Sequence, residues 1–85
     1  MPGVSTRDVI CYALDQLRSN PNPSTASEAD SKQIGQLGVG PTECRMLERL
    51  IDELRVAKGK KRLTKGTVKP ATTIGKAVEH VDVDA

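Results

Sequence analysis

Few residues of this chain are of a type that does chemistry, and their spacing decides which chemistry. His80 is the only histidine; it stands beside Glu79 with no cysteine pair near it in sequence. Zinc wants four ligands in a compact pattern, so no metal centre is expected. Cys11 and Cys44 have no neighbouring histidine to take a proton. Each stands among apolar positions, where a thiol behaves as a small hydrophobe and burial raises its pKa. Glu43, Glu48, Asp52 and Glu53 are interspersed with Arg45, Arg49 and Arg55 at spacings of three and four. That is the pattern of surface ion pairs along a helix, not of an acid and a base facing a substrate. Gly35, Gly38 and Gly40 lead toward a helix start, but without a preceding strand or a following lysine they read as a turn and not as a phosphate loop. No catalytic residue, metal or cofactor is expected, and the chain reads as a non-enzyme.

What remains is charge. Through Ala57 there are six basic residues against eight acidic ones, and from Lys58 onward seven against three, within a formal net charge of +2. Lys58, Lys60, Lys61, Arg62, Lys65 and Lys69 follow one another with no acid among them. Such a run is the electrostatic footprint of a segment that meets phosphates or an acidic surface, and its plainer reading is a solvated, flexible tail.

These side chains need elements to hold them. The longest unbroken helical period is PTECRMLERLIDELRVA, Pro41–Ala57, in which Cys44, Leu47, Leu50, Ile51 and Leu54 recur three and four apart and the charged residues, Arg55 included, fill the other faces. Pro41 suits a first helical position and Gly59 a left-handed residue just past the end. Ser5 and Asp8 have capping-box spacing ahead of a second helix, with Val9, Ile10, Ala13, Leu14 and Leu17 on one face and an end near Ser19. NPNPS at 20–24 stops it in a turn. Residues 25–37 read as a further helix, capped by Thr25 with Glu28 and facing inward with Ala26, Ala29, Ile34 and Leu37. Residues 62–69 read either as a small hairpin turning at Lys65 and Gly66, with Leu63 and Val68 inward, or as an extended arm. Beyond Pro70, Thr72 or Thr73 can cap a short helix carrying Ile74, Ala77, Val78 and Val81, while the last residues suit a sheet edge or a free end equally well.

The expected fold is all-α or mainly α: a small three-helix domain over residues 1–57, followed at 58–85 by a basic C-terminal arm or short hairpin and a tail. Eighty-five residues with no Phe, no Trp and Tyr12 as the one aromatic build a thin core of Leu, Val, Ile and Ala. Such a core implies help from self-association or a partner. No leader and no long apolar run is read at the start, and no stretch approaches the roughly 18 apolar residues that span a bilayer. The expected setting is cytoplasmic, or inside a virus particle, with no membrane partner, and the cysteines are expected to be unpaired.

The stretch SKQIGQLGVGPTECRMLERL, residues 31–50, resembles the helix-turn-helix family of DNA-binding proteins, in which a short helix, a turn written much like LGV and a recognition helix follow each other. The resemblance spans residues 24–56, with Ile34, Leu37, Val39, Cys44 and Leu47 at its buried positions. It departs from the commonest form of the motif by one residue between Ile34 and Leu37, a phase of about 100° on a helix. It implies Thr42, Arg45 and Arg49 facing the major groove of duplex DNA, an initial helix at 6–19, residues 62–69 as a wing, and the basic run on phosphates. The first functional expectation is therefore a small nucleic-acid-binding protein. The alternative is a protein-interaction module, such as a minor virion component or an inhibitor docking on a host enzyme, whose basic arm lies on an acidic protein surface. Single-stranded RNA reading is disfavoured by the lack of aromatics on which bases stack. Replacing Lys60, Lys61 and Arg62 together is expected to leave the fold intact.

Overall fold

Local signals set the helix ends. The structure, a computed structural model, describes residues 4–18 and 25–83. Helix α1, Thr6–Leu17, starts on the capping box read from the sequence: the Asp8 amide donates to Ser5 Oγ at 3.1 Å and the Ser5 amide donates to Asp8 Oδ2 at 3.1 Å. Helix α2, Pro41–Ala57, has Pro41 in its first turn, where a missing N–H costs nothing. Its end closes on Gly59 at φ 77°, with the Lys60 amide donating to the Arg55 carbonyl at 2.8 Å and the Gly59 amide to Val56 at 3.0 Å. These are the paired bonds of a Schellman ending. Helix α3, Ile74–Asp82, starts on Thr73, whose hydroxyl accepts from the Lys76 amide at 3.1 Å. The turn expected at 20–24 lies outside the described residues.

The three helices share one core. Ile10, Cys11 and Leu14 of α1 meet Cys44, Leu47 and Ile51 of α2 and Ile74, Ala77 and Val81 of α3. Ile34, Leu37 and Val39 enter from the connection before α2, and Val68 from the one after it. Tyr12 is 68 % exposed, so the core holds no aromatic ring at all. The Cα radius of gyration is 11.9 Å. A compact chain of this length has about 12 Å, and α3 at Ile74–Asp82 packs into the core instead of trailing from it. Both cysteines are free and buried, and burial raises each thiol above its ordinary pKa.

Residues 25–37 depart from the expected helix. They form two short 3₁₀ turns, Thr25–Ser27 and Ile34–Leu37, joined by irregular chain, and Ala26 and Ala29 are exposed. Backbone groups that an α-helix would use are taken by distant partners. Arg7 of α1 donates to the carbonyls of Ala26 at 3.2 Å and Glu28 at 2.7 Å. Farther along, the amides of Ile34 and Gly35 donate to Thr72 and Pro70 at 2.8 and 2.7 Å, and those of Ile74 and Gly75 donate back to Lys32 and Asp30 at 3.0 and 2.9 Å. This zipper fastens the start of α3 to the connection before α2. It needs a glycine at 35, where a Cβ would stand 2.8 Å from Pro70 Cβ and 2.9 Å from its carbonyl oxygen. Gly35→Ala is expected to destabilise by about 1–3 kcal/mol, as overpacking does, and a urea melt reads it directly. An unchanged midpoint would mean that the zipper opens without cost.

The zipper is joined by a polar tie between the outer ends of α1 and α3. Asp82 Oδ1 accepts from the Thr6 hydroxyl at 2.7 Å and from Lys58 Nζ at 2.9 Å. The Thr6 bond first, and the lysine second, hold the Asp82 carboxyl below its ordinary pKa; the Ser5 amide and then its hydroxyl do the same for Asp8. A carboxyl depressed in the fold binds its proton first in the unfolded chain. Its contribution is therefore complete above the unfolded value of about 3.9 and is lost as pH falls through the folded one. The melting temperature is expected to be level from neutral pH to about 5 and to fall in more acid solution. Asp82→Asn should melt lower at pH 7 and lose less on acidification; equal slopes for the two proteins would count against this tie.

Candidate docking groove

Glu48 and Asp52 stand on one flank of α2, and their carboxylates do something other than the surface ion pairing that their spacing suggests. Neither pairs with Arg45 or Arg49. Glu48 Oε1 accepts from the Val68 amide at 2.9 Å and Oε2 from the Gly66 amide at 3.3 Å. Asp52 Oδ1 accepts from the Leu63 amide at 2.9 Å, while Oδ2 pairs with Arg62 at 2.7 Å. These two side chains strap residues 62–68 along the helix. The turn expected at Lys65 and Gly66 is present, with Gly66 at φ 88° and the Thr67 amide on the Thr64 carbonyl at 3.2 Å. No hairpin ladder flanks it among the described residues, because the amides that would build one are spent on the α2 carboxylates. Val68 is buried and Leu63 half-buried, as expected. Asp52→Ala is expected to cost about 1–3 kcal/mol and to speed hydrogen exchange at the Leu63 amide. Unchanged exchange there would show that the strap does not depend on this carboxylate.

Between α2 and the strapped segment runs an open groove of about 880 Å³. Six of the nine residues singled out for nucleic-acid contact border it: Thr42, Arg45 and Arg49 from the helix, and Arg62, Lys65 and Lys69 from the segment. All six are exposed. Among the described residues, Arg45, Arg49, Lys65 and Lys69 make no hydrogen bond or ion pair through their charged groups. The groove is therefore rimmed by cations, while its two carboxylates are already occupied. Apolar surface lies among the charges: Met46 is 56 % exposed beside Thr42, Arg45 and Arg49 on the outer side of α2, and Leu63, Val68, Pro41 and Pro70 also border the groove.

Lys58, Lys60 and Lys61 do not line the groove. Lys58 pairs with Asp82, Lys60 Nζ donates to the Val81 carbonyl at 2.5 Å, and Lys61 is exposed without a side-chain partner among the described residues. Two of the three residues in a Lys60, Lys61 and Arg62 replacement thus hold intramolecular contacts, Lys60 with the Val81 carbonyl and Arg62 with Asp52, so the replacement is expected to lower the melting temperature while cooperative melting is kept. Arg55 departs further from the sequence reading. It is only 4 % exposed, and its guanidinium donates to the Lys61 carbonyl at 2.8 Å and to the His80 carbonyl at 2.5 Å. The signal was available in the sequence, since Arg55 continues the row Leu47–Ile51 by one more step of four. Met46 was legible in the same way, as an apolar residue just outside the edge of the apolar stripe.

No group of three or more His, Cys, Asp or Glu side chains among the described residues is placed to hold a metal ion. No described helix is long and apolar enough to cross a membrane. Comparison of the chain with protein-family models, with curated proteins and with solved structures finds no match.

Proposed function

We propose that this protein is a non-enzymatic docking module that binds an acidic surface of a partner protein through α2 and residues 62–70. The observation that carries the reading is the gathering of Arg45, Arg49, Lys65 and Lys69 around one groove, each without a partner among the described residues, with exposed apolar Met46 beside the arginines on α2. Cations left without a partner among the described residues are free to meet carboxylates outside the protein. Complementary charge of this kind sets orientation and speeds encounter, while the apolar contacts it surrounds supply affinity.

Duplex DNA is the second reading, favoured by the same four cations and by exposed Lys61. In it Thr42, Arg45 and Arg49 read bases and the basic run holds phosphates, as the helix-turn-helix resemblance implies. Two features rank it second. Helix α2 carries four carboxylates against three arginines, and one of the three, Arg55, is buried. A reading helix, about 10–12 Å across with its side chains, also has to enter a groove about 12 Å wide, which requires clear flanks. Here residues 62–68 lie along one flank, held by Glu48 and Asp52.

Anisotropy titrations of the full chain against a labelled random duplex and against labelled poly-glutamate, each at low and at physiological salt, test the choice. Poly-glutamate binding at low salt that weakens on Arg45→Ser/Arg49→Ser substitution supports the docking reading. Duplex bound more tightly than poly-glutamate at physiological salt, with the steep salt dependence of counterion release, would replace it with the second.

A further inference from the structure

The groove also limits the form of what enters it. An extended strand needs a sheet edge with unpaired backbone groups to pair with, and the amides of Leu63, Gly66 and Val68, which would form such an edge, already donate to Asp52 and Glu48. A polyproline segment needs aromatic walls, and no aromatic side chain borders this groove. What the groove does offer is a helix flank about 16 Å long from Pro41 to Asp52, at 1.5 Å per residue. Arg45 and Arg49 stand one turn apart on one wall, with Met46 beside them on the outer side of α2, and Lys65 and Lys69 stand on the other, with the edges of Leu63 and Val68 also bordering the groove. Arginine and lysine stems add further apolar surface beneath their charges.

From this we infer that the occupant is an acidic amphipathic helix of a partner protein, about three turns long, with an apolar stripe toward the groove and carboxylates on both sides of that stripe. The inference rests on the docking reading above and narrows it. Packing helix on helix uses ridges and grooves that α2 already presents at positions 42, 45, 46 and 49. Carboxylates on both shoulders of the incoming helix then meet the two cationic walls at once, which a flat acidic patch does not do.

The test uses the full chain and three labelled peptides of about 12 residues. One has Leu at helical spacing flanked by Glu, the second has the same composition scrambled so that no apolar face forms, and the third has the first sequence with a central proline. Expected is binding of the amphipathic peptide at physiological salt about tenfold or more tighter than either control. Amide shift changes on binding should be confined to α2 and residues 62–70. Met46→Asp and the charge reversals Arg45→Glu/Arg49→Glu and Lys65→Glu/Lys69→Glu should each weaken it about tenfold, and Lys61→Glu, off the groove, should not. Circular dichroism of each variant shows that it is folded.

Equal binding of all three peptides, still weakened by the reversals, would overturn the helical occupant and leave the acidic docking reading standing. Failure of every peptide and of poly-glutamate would remove both. Binding that ignores the groove variants but falls with Lys61→Glu would place the acidic site elsewhere and overturn the inference. A concentration-dependent dimer by sedimentation that Arg45→Glu/Arg49→Glu dissolves would show that the groove takes a second copy of this chain instead.

Discussion

Arg55→Ala is expected to destabilise the protein by roughly 3–5 kcal/mol, far more than loss of a surface arginine. Two charge-assisted hydrogen bonds of about 1.5–3 kcal/mol each are lost, and the carbonyls of Lys61 and His80 lose a buried donor. The residue also sits where three pieces meet: the last turn of α2, the start of the basic segment and the last turn of α3. A cation at the carboxy end of α3 further complements the partial negative charge of that helix terminus. Small domains hold about 5 kcal/mol in reserve, so this one change is expected to leave the chain near its unfolding midpoint at room temperature. At about 4–8 °C per kcal/mol the melting temperature should fall by more than about 12 °C. Arg55→Lys is expected to recover only part of the loss, because one ammonium lacks the rigid fork that reaches both carbonyls. A fall of under about 4 °C for Arg55→Ala would mean that water replaces the guanidinium at both carbonyls.

Leu47→Ala is the second large effect, at about 2–5 kcal/mol. Leu47 is fully buried at the middle of α2, in a core to which the described residues contribute thirteen buried apolar side chains and no aromatic ring. No aromatic side chain is in the core to swing into the cavity. The loss therefore combines the transfer energy of the removed methyl groups with an unfilled hole. Leu47→Met, which nearly conserves volume, should cost under about 1.5 kcal/mol. Chemical denaturation of the two variants checks both figures. A thermally silent Leu47→Ala would mean that the apolar stripe of α2 contributes nothing to the isolated chain and waits for a partner.

The two substitutions lie on the same helix and differ in how far the sequence alone exposes them. Leu47 belongs to a stripe that any helical reading of Pro41–Ala57 finds, and that helix has the bounds its proline, its period and its glycine imply. The Ser5 and Asp8 capping box was equally legible, and the cap of α3 was narrowed to Thr72 or Thr73, of which the fold uses Thr73. The basic run was visible as a block of charge, but its division was not. Lys58 and Lys60 turn inward to α3, Arg62 turns to Asp52, and Lys65 and Lys69 join Arg45 and Arg49 around the groove. Of the candidate site, the sequence supplied the cations, and the tertiary structure supplied the second wall and the engagement of the two acids that would otherwise cancel them.

The physical reason is range. A cap, a proline at a helix start and a three-and-four period are interactions between residues within about one turn of each other, so they are written in adjacent letters and survive without the rest of the fold. Glu48 with Val68 is a contact across 20 residues, Arg55 with His80 across 25, and Thr6 with Asp82 across 76. Residues 25–37 show the competition directly. Their capping-box spacing and their alanines favour a helix locally, but Arg7, Pro70 and Thr72 take the backbone groups that the helix would have used. The sequence by itself determined α1, α2 and the apolar face each turns inward. Only the packing of α3 and residues 62–68 against them decided which charges were left to face a partner, because a polar side chain takes the nearest satisfying group that the finished fold brings to it.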